Sequence, residues 1–151
     1  MPKIIVSDTS CLIALSNIDM LGLLKDLYSE IIVTPEVEAE FGENLPEWFI
    51  VLKVRNTEKQ IELSKRLDLG ESSSIILATE IKNSILIIDE IKGRKIAKSF
   101  EIEIIGTVGI LLLAYKMGLI KDIMGLIQKL LDNGFRLSPK IMESLHKKYG
   151  E

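Results

Sequence analysis

Four aliphatic residues in unbroken succession, Ile85-Leu86-Ile87-Ile88, constrain this chain more than any other stretch. A strand with one wet face alternates apolar and polar side chains, because successive residues point to opposite sides of the sheet. An unbroken run is buried on both faces, which calls for a parallel sheet covered by helices on either side. Ile4-Ile5-Val6 repeats the pattern near the N-terminus in shorter form. Each run gives way to an acid, Asp89 in one case and, after Ser7, Asp8 in the other. In a parallel sheet both ends face the same rim, and ligand chemistry gathers at the carboxyl ends of strands.

The remaining segments fit that sheet. Residues 3–6, 30–33, 85–88 and 102–105 read as strands, and residues 49–54 alternate weakly like a short edge strand. Helical patterns cover residues 9–16, 21–27, 35–41, 57–67, 71–82, 91–100, 108–117, 121–132 and 139–148. Thr34 is placed to cap the third of these, with Pro35 at its first position. Strands alternating with helices mean an α/β fold around a parallel sheet.

A length of 151 residues implies one domain over residues 1–151, with a substantial core. Aromatic residues are only 5% of the chain, so that core is built from Ile, Leu and Val. Net charge is −3, which provides no global pull toward nucleic acid, and a polyanionic ligand would need a local basic patch. The lone cysteine, Cys11, forbids an internal disulfide and fits a reducing compartment. The longest apolar run, residues 108–115, is far short of the ~20 residues that cross a bilayer. With no cleavable leader evident, a cytoplasmic protein without membrane association is expected.

Two carboxylates at one rim repel each other and raise each other's pKa unless a cation lies between them. Hard divalent ions such as Mg²⁺ and Mn²⁺ take oxygen ligands of this kind. Taken singly, Asp8 and Asp89 are equally well explained as helix caps; taken together they favour a metal. Glu71 has a plainer explanation, because Asp68-Leu69-Gly70-Glu71 has capping-box spacing. Glu40 lies beside the apolar face of its helix, and Glu36, Glu38 and Glu43 compete for the same role. Helical periodicity does not choose among them.

Five short motifs in order cover nearly the whole chain: Val6-Ser7-Asp8-Thr9-Ser10-Cys11-Leu12-Ile13, Thr34-Pro35-Glu36-Val37-Glu38-Ala39-Glu40-Phe41, Leu69-Gly70-Glu71-Ser72, Leu86-Ile87-Ile88-Asp89-Glu90 with Arg94, and Gly106-Thr107-Val108-Gly109-Ile110-Leu111. With Gly134-Phe135-Arg136-Leu137-Ser138 near the end, the chain resembles the PIN-domain superfamily. The nearest likeness is to a prokaryotic PIN-like branch related to VapC toxins. The resemblance implies a three-layer α/β/α fold with a central, mainly parallel sheet. It also implies a catalytic cluster of Asp8, Glu40, Glu71 and Asp89, and so selects Glu40 over its acidic neighbours. Two positions depart from the pattern: Glu71 stands where many relatives carry Asp, and Asp89-Glu90 where they often carry Asp-Asp. Glu90 is thus either a further ligand supporting the site or a solvated neighbour, the second being the preferred reading.

On this reading the chain is a metal-dependent ribonuclease, a toxin-type endoribonuclease of a toxin–antitoxin pair. Asp8, Glu71 and Asp89 would hold Mg²⁺ or Mn²⁺, with Glu40 on the metal or supporting it, for in-line hydrolysis of RNA phosphodiesters. Ser10 and Thr107 would position water or a carboxylate, although Thr107 serves equally well as a helix cap. Lys92, Arg94, Lys95 and Lys98 form a basic run free of acids just after the site. They would face the phosphates of a single-stranded or structured RNA, or else form a solvated helix face. A small antitoxin protein and a second copy of the chain are the implied protein partners. The leucine-rich segments at residues 21–27 and 111–117 are candidate surfaces for them. The alternatives are a non-catalytic PIN-like module that binds nucleic acid or protein, and a phosphotransfer or phosphatase domain. The second wants an aspartate two residues after Asp8, where Ser10 stands.

Overall fold

The computed structural model describes residues 4–150; Lys3, which the sequence placed in the first strand, lies outside them. Five strands form one sheet: β1 (Ile4–Ser7), β2 (Glu30–Val33), β3 (Phe49–Val51), β4 (Ser84–Ile87) and β5 (Glu103–Ile105). Their order is β3-β2-β1-β4-β5, and every pairing is parallel. Ile5 pairs with Ile31 on one side and Ile85 on the other, and Ile87 pairs with Ile105. Strand order turns back at β1 and β4, so the topological switch point lies between them.

Nine helices are present among the described residues: α1 (Thr9–Asn17), α2 (Leu23–Leu27), α3 (Pro35–Phe41), α4 (Thr57–Ser64), α5 (Leu69–Glu80), α6 (Ile91–Ser99), α7 (Thr107–Lys116), α8 (Ile123–Asp132) and α9 (Pro139–Tyr149). The consecutive residues of β1 and β4 divide between two cores. Ile5, Ile85 and Ile87 pack with residues of α1, α2, α7 and α8. Val6, Leu86 and Ile88 pack with residues of α4, α5 and α6. This is the three-layer α/β/α arrangement, with helices on both faces of the sheet and an aliphatic interior.

Local chemistry sets the helix starts near the rim. Thr34 accepts a hydrogen bond from the Val37 N–H (3.1 Å), Pro35 follows at the first position, and α3 ends on Gly42 at φ +77°. Asp68 accepts from the Glu71 N–H (2.8 Å), and this cap draws Leu69 and Gly70 into α5. The helix therefore begins two residues before the sequence pattern placed it. The weakly alternating stretch beyond Trp48 forms a strand only over Phe49–Val51, at the sheet edge as expected. No helix is long and apolar enough to cross a membrane among the described residues.

Candidate functional site

Asp8 ends β1 at the switch point. Its N–H donates to the Ile87 carbonyl (3.1 Å), which extends the β1–β4 ladder by one residue. It occupies the N-cap position of α1, yet its side chain makes no capping hydrogen bond. The residue is 3% exposed. Burial pushes its carboxyl up from 3.8 to about 7; a backbone hydrogen bond from Thr9 pulls the other way, and Asp68, Glu40 and Asp89 add repulsion.

Glu40 reaches this point from the last turn of α3. Its Oε1 accepts from the Thr9 hydroxyl (2.5 Å) and its Oε2 from the Gly70 N–H (3.2 Å). Gly70 is required for that approach, since a Cβ there would lie 2.1 Å from Glu40 Oε1. The neighbouring acids go elsewhere: Glu36 accepts from the Gln60 amide (2.6 Å), and Glu38 and Glu43 line a separate surface hollow.

The third acid at this point is Asp68. One carboxylate oxygen from each of Asp8, Glu40 and Asp68 lies within 4.8 Å of the others. Sequence reading left Asp68 as a helix cap, which it is, through one oxygen. A cap uses only half a carboxylate, and the tip of α5 faces Asp8. An acidic cap three residues before a second acid was the available signal.

Glu71 is buried against this group rather than solvated at the helix start. Its Oε2 has no hydrogen-bond partner. Burial raises its carboxyl to about 8, helped by Asp68 and, less strongly, by Asp8 and Glu90. Gly93 of α6 makes room for it, because a Cβ there would stand 2.9 Å from Glu71 Oε2.

Asp89 follows β4 after Ile88, one residue further along than Asp8 in the register, and is held differently. Its two oxygens accept from the Thr107 N–H (2.8 Å) and the Thr107 hydroxyl (2.5 Å). Asp89 thus closes the start of α7, the helix that follows the neighbouring strand β5, while still adding to the field on Asp8. Arg94 turns inward beside it, with Nη1 donating to the Ile88 carbonyl (2.7 Å). At Gly106 a Cβ would meet both Asp89 Oδ1 (2.8 Å) and Arg94 Nη1 (3.1 Å).

A cleft of about 250 Å³ opens beside Asp68 and Glu71, with Ser10, Arg66, Glu90 and Lys92 also in its walls. Arg66 and Lys92 therefore face it as cations, the first unremarked in the sequence. Lys95 and Lys98 are exposed on α6. Burial pushes the Cys11 thiol far up, which leaves no thiolate nucleophile there.

The donor set suits a hard divalent cation. Every ligand available is a carboxylate oxygen, and no cationic side chain pairs with these acids among the described residues. The buried, unpartnered Glu71 oxygen is costly to leave so, and a cation would satisfy it. A family model described as "PIN domain" matches residues 4–151. No curated protein and no solved structure matches the chain.

Proposed function

Since the chain belongs to the PIN-domain family, whose members are generally nucleases that use divalent metal ions, we propose that it is a Mg²⁺- or Mn²⁺-dependent endoribonuclease. We assign it, as a single domain, to the toxin type. One observation carries this reading: Asp8, Glu40 and Asp68 converge at the switch-point rim, with an unpartnered Glu71 oxygen beside them. Such a group repels itself, and the hydrogen bonds to Asp68 and Glu40 do not offset the charge gathered around Asp8.

In the proposed mechanism Asp8, Glu40, Asp68 and Glu71 hold the ion, with Asp89 at the edge of the group. A divalent ion held there would supply neutralising charge for the acids, an activated water and stabilisation of the leaving oxygen of a phosphodiester. The chain's own residues do the positioning. Thr9 and the Gly70 N–H fix Glu40, and Thr107 fixes Asp89. Ser10 lies at the cleft wall, where its hydroxyl can orient water. Arg66 and Lys92 draw the phosphate into the cleft, and Lys95 and Lys98 extend the positive face along the strand. Arg94 supports the rim through the Ile88 carbonyl with Nη1 and remains in the proposed phosphate-facing set through its other guanidinium nitrogens.

A small antitoxin protein and a second copy of the chain are the proposed protein partners. Leu23, Leu24 and Leu111 are spent on the core, which leaves Tyr115, Met117 and Leu119 as the exposed apolar surface at the end of α7. Cleavage of generic single-stranded RNA with Mn²⁺, Mg²⁺ or EDTA tests the central claim, comparing wild type with Asp8→Asn. Metal-dependent cleavage that disappears in the variant is expected. Cleavage in EDTA, or cleavage unchanged in Asp8→Asn, would overturn it. Neither cleavage nor metal binding would mark a non-catalytic binding module.

A further inference from the structure

The stretch Gly134-Phe135 has no part in the acidic site, yet its geometry is tightly specified. α8 ends in a Schellman motif: Phe135 N–H donates to the Leu130 carbonyl (2.9 Å) and Gly134 N–H to the Leu131 carbonyl (3.0 Å), with Gly134 at φ +93°. That turn brings Phe135 back against α1. Between them runs a groove of about 240 Å³, the liquid volume of roughly eight waters.

One wall of the groove is a single face of α1, namely Ser10, Ile13, Ala14 and Asn17. Spacings of three and four residues keep them in line over about 10 Å of helix. Ala14 is too small to fill the floor, and Ile13 is 42% exposed. The facing wall is Leu130, Asn133 and Phe135. Asn133 donates its amide to the Lys129 carbonyl (2.8 Å), which fixes the side chain and leaves Oδ1 free to accept. The Asn17 carboxamide has no hydrogen bond among the described residues. Ser10 lines this groove and the acidic cleft alike, so the two adjoin at its side chain.

We propose that this groove seats one nucleobase of the RNA strand whose phosphate lies at the acids, making Phe135, Asn17 and Asn133 determinants of base preference. The inference rests on the nuclease reading and adds a specificity site to it. A base needs apolar contact for its faces and paired polar groups for its edges. Phe135, Ile13 and Leu130 offer the first, and the two carboxamides the second. An aliphatic side chain of a protein partner would leave both carboxamides unpaired. A helix would not fit a space this small. Position favours the same occupant, because Ser10 stands two residues from Asp8 and borders both the acidic cleft and the groove.

The test separates binding from cleavage. Fluorescent hexaribonucleotides of A, C or U, and an abasic strand of the same length, are titrated with Mg²⁺ against the Asp8→Asn chain, in which strands survive. At least one base-bearing strand is expected to bind about 5- to 150-fold more tightly than the abasic one. Ala14→Phe on the same background should remove that difference and leave abasic binding unchanged. Asn17→Ala, on an exposed residue that does not touch the core, should change the ranking of the three bases. In the otherwise wild-type chain the same change should shift the base at the cleavage site. Equal binding of abasic and base-bearing strands, or variants that bind as the parent does, would overturn the groove while leaving the nuclease reading intact. If no strand binds and the wild-type chain cleaves no RNA, both readings fall. Occlusion of the groove by self-association, seen as base preference lost with rising protein concentration, would overturn the proposal in favour of a contact between copies.

Discussion

Asp8 and Asp89 stand at one rim of the sheet, Asp8 directly after β1 and Asp89 one residue further along from β4, and the protein treats them in opposite ways. Asp89 is satisfied: both oxygens accept hydrogen bonds from Thr107. Asp8 is buried among other acids, and its carboxyl is driven up to about 7. Charged groups that only support a fold are normally paired. One left with repulsive neighbours costs stability, and the chain tolerates that at one of the two positions. The difference separates a residue that anchors the rim from one poised for a cation.

The largest effect should come from exchanging each aspartate for asparagine. Asp8→Asn is expected to lower RNA cleavage by at least ~100-fold. It should also raise the melting temperature of the metal-free protein, because the repulsion it removes is unfavourable. Asp89→Asn should lower the melting temperature instead, through a loss of about 1–3 kcal/mol at the Thr107 contacts. Thermal denaturation in EDTA reads the sign directly. The same sign for both variants would erase the distinction.

Acidity provides the second test. In the fold the Asp8 carboxyl titrates at about 7 and Glu71 at about 8, both above their ordinary values of 3.8 and 4.5. Between those limits the folded chain holds protons that the unfolded chain has released. Its stability is therefore complete below pH 4 and declines as pH rises through 7 to 8. For Asp8 alone the difference amounts to roughly 4 kcal/mol. Metal-free protein should melt at progressively lower temperature from pH 4.5 to 8.5, and Mn²⁺ should restore it most at the alkaline end. A metal-free melting temperature that climbs with pH would mean that the acids are satisfied without a cation.

The same contrast shows how far the sequence could be read. The doubly buried run Ile85-Leu86-Ile87-Ile88 foretold the sheet because period and burial are local properties. Strand ends then placed Asp8 and Asp89 at one rim. Glu40 was chosen by family resemblance, and Asp68 was passed over. Neither was legible from local spacing, for different reasons. Glu40 meets the Gly70 N–H 30 residues on, and no spacing within α3 encodes that. Asp68 was hidden by a correct but partial explanation, since capping a helix leaves a carboxylate oxygen free.

Gly70→Ala sharpens the point at smaller cost. The added Cβ would collide with Glu40 Oε1, the far end of a flexible side chain, so the fold can give way by moving Glu40. Alanine also suits a helix better than glycine by about 0.5–1 kcal/mol. Stability should therefore stay within about 1 kcal/mol of the parent, while Mn²⁺ affinity falls about tenfold. Calorimetry measures the affinity and thermal melting the stability. Affinity unchanged in a folded Gly70→Ala protein would remove Glu40 from the metal group.

The smallest effect is expected at Thr107, where the satisfied aspartate meets its donor. Thr107→Val keeps the shape and the N–H contact but removes the hydroxyl, leaving one Asp89 oxygen without its 2.5 Å partner. A buried hydrogen bond to a charged group contributes about 1.5–3 kcal/mol, and partial access of solvent to Asp89 brings the expected loss near 1 kcal/mol. If Asp89 only anchors α7, cleavage per folded molecule should be unaltered. If its orientation also shapes the field on Asp8, kcat should fall a few-fold while RNA binding holds, and Thr107→Ser should restore it. A melting temperature restored by serine without recovery of kcat would confine Asp89 to the scaffold. Recovery of both would make the contrast between the two aspartates one of degree, with the anchored acid setting the electrostatics that the acidic cluster uses.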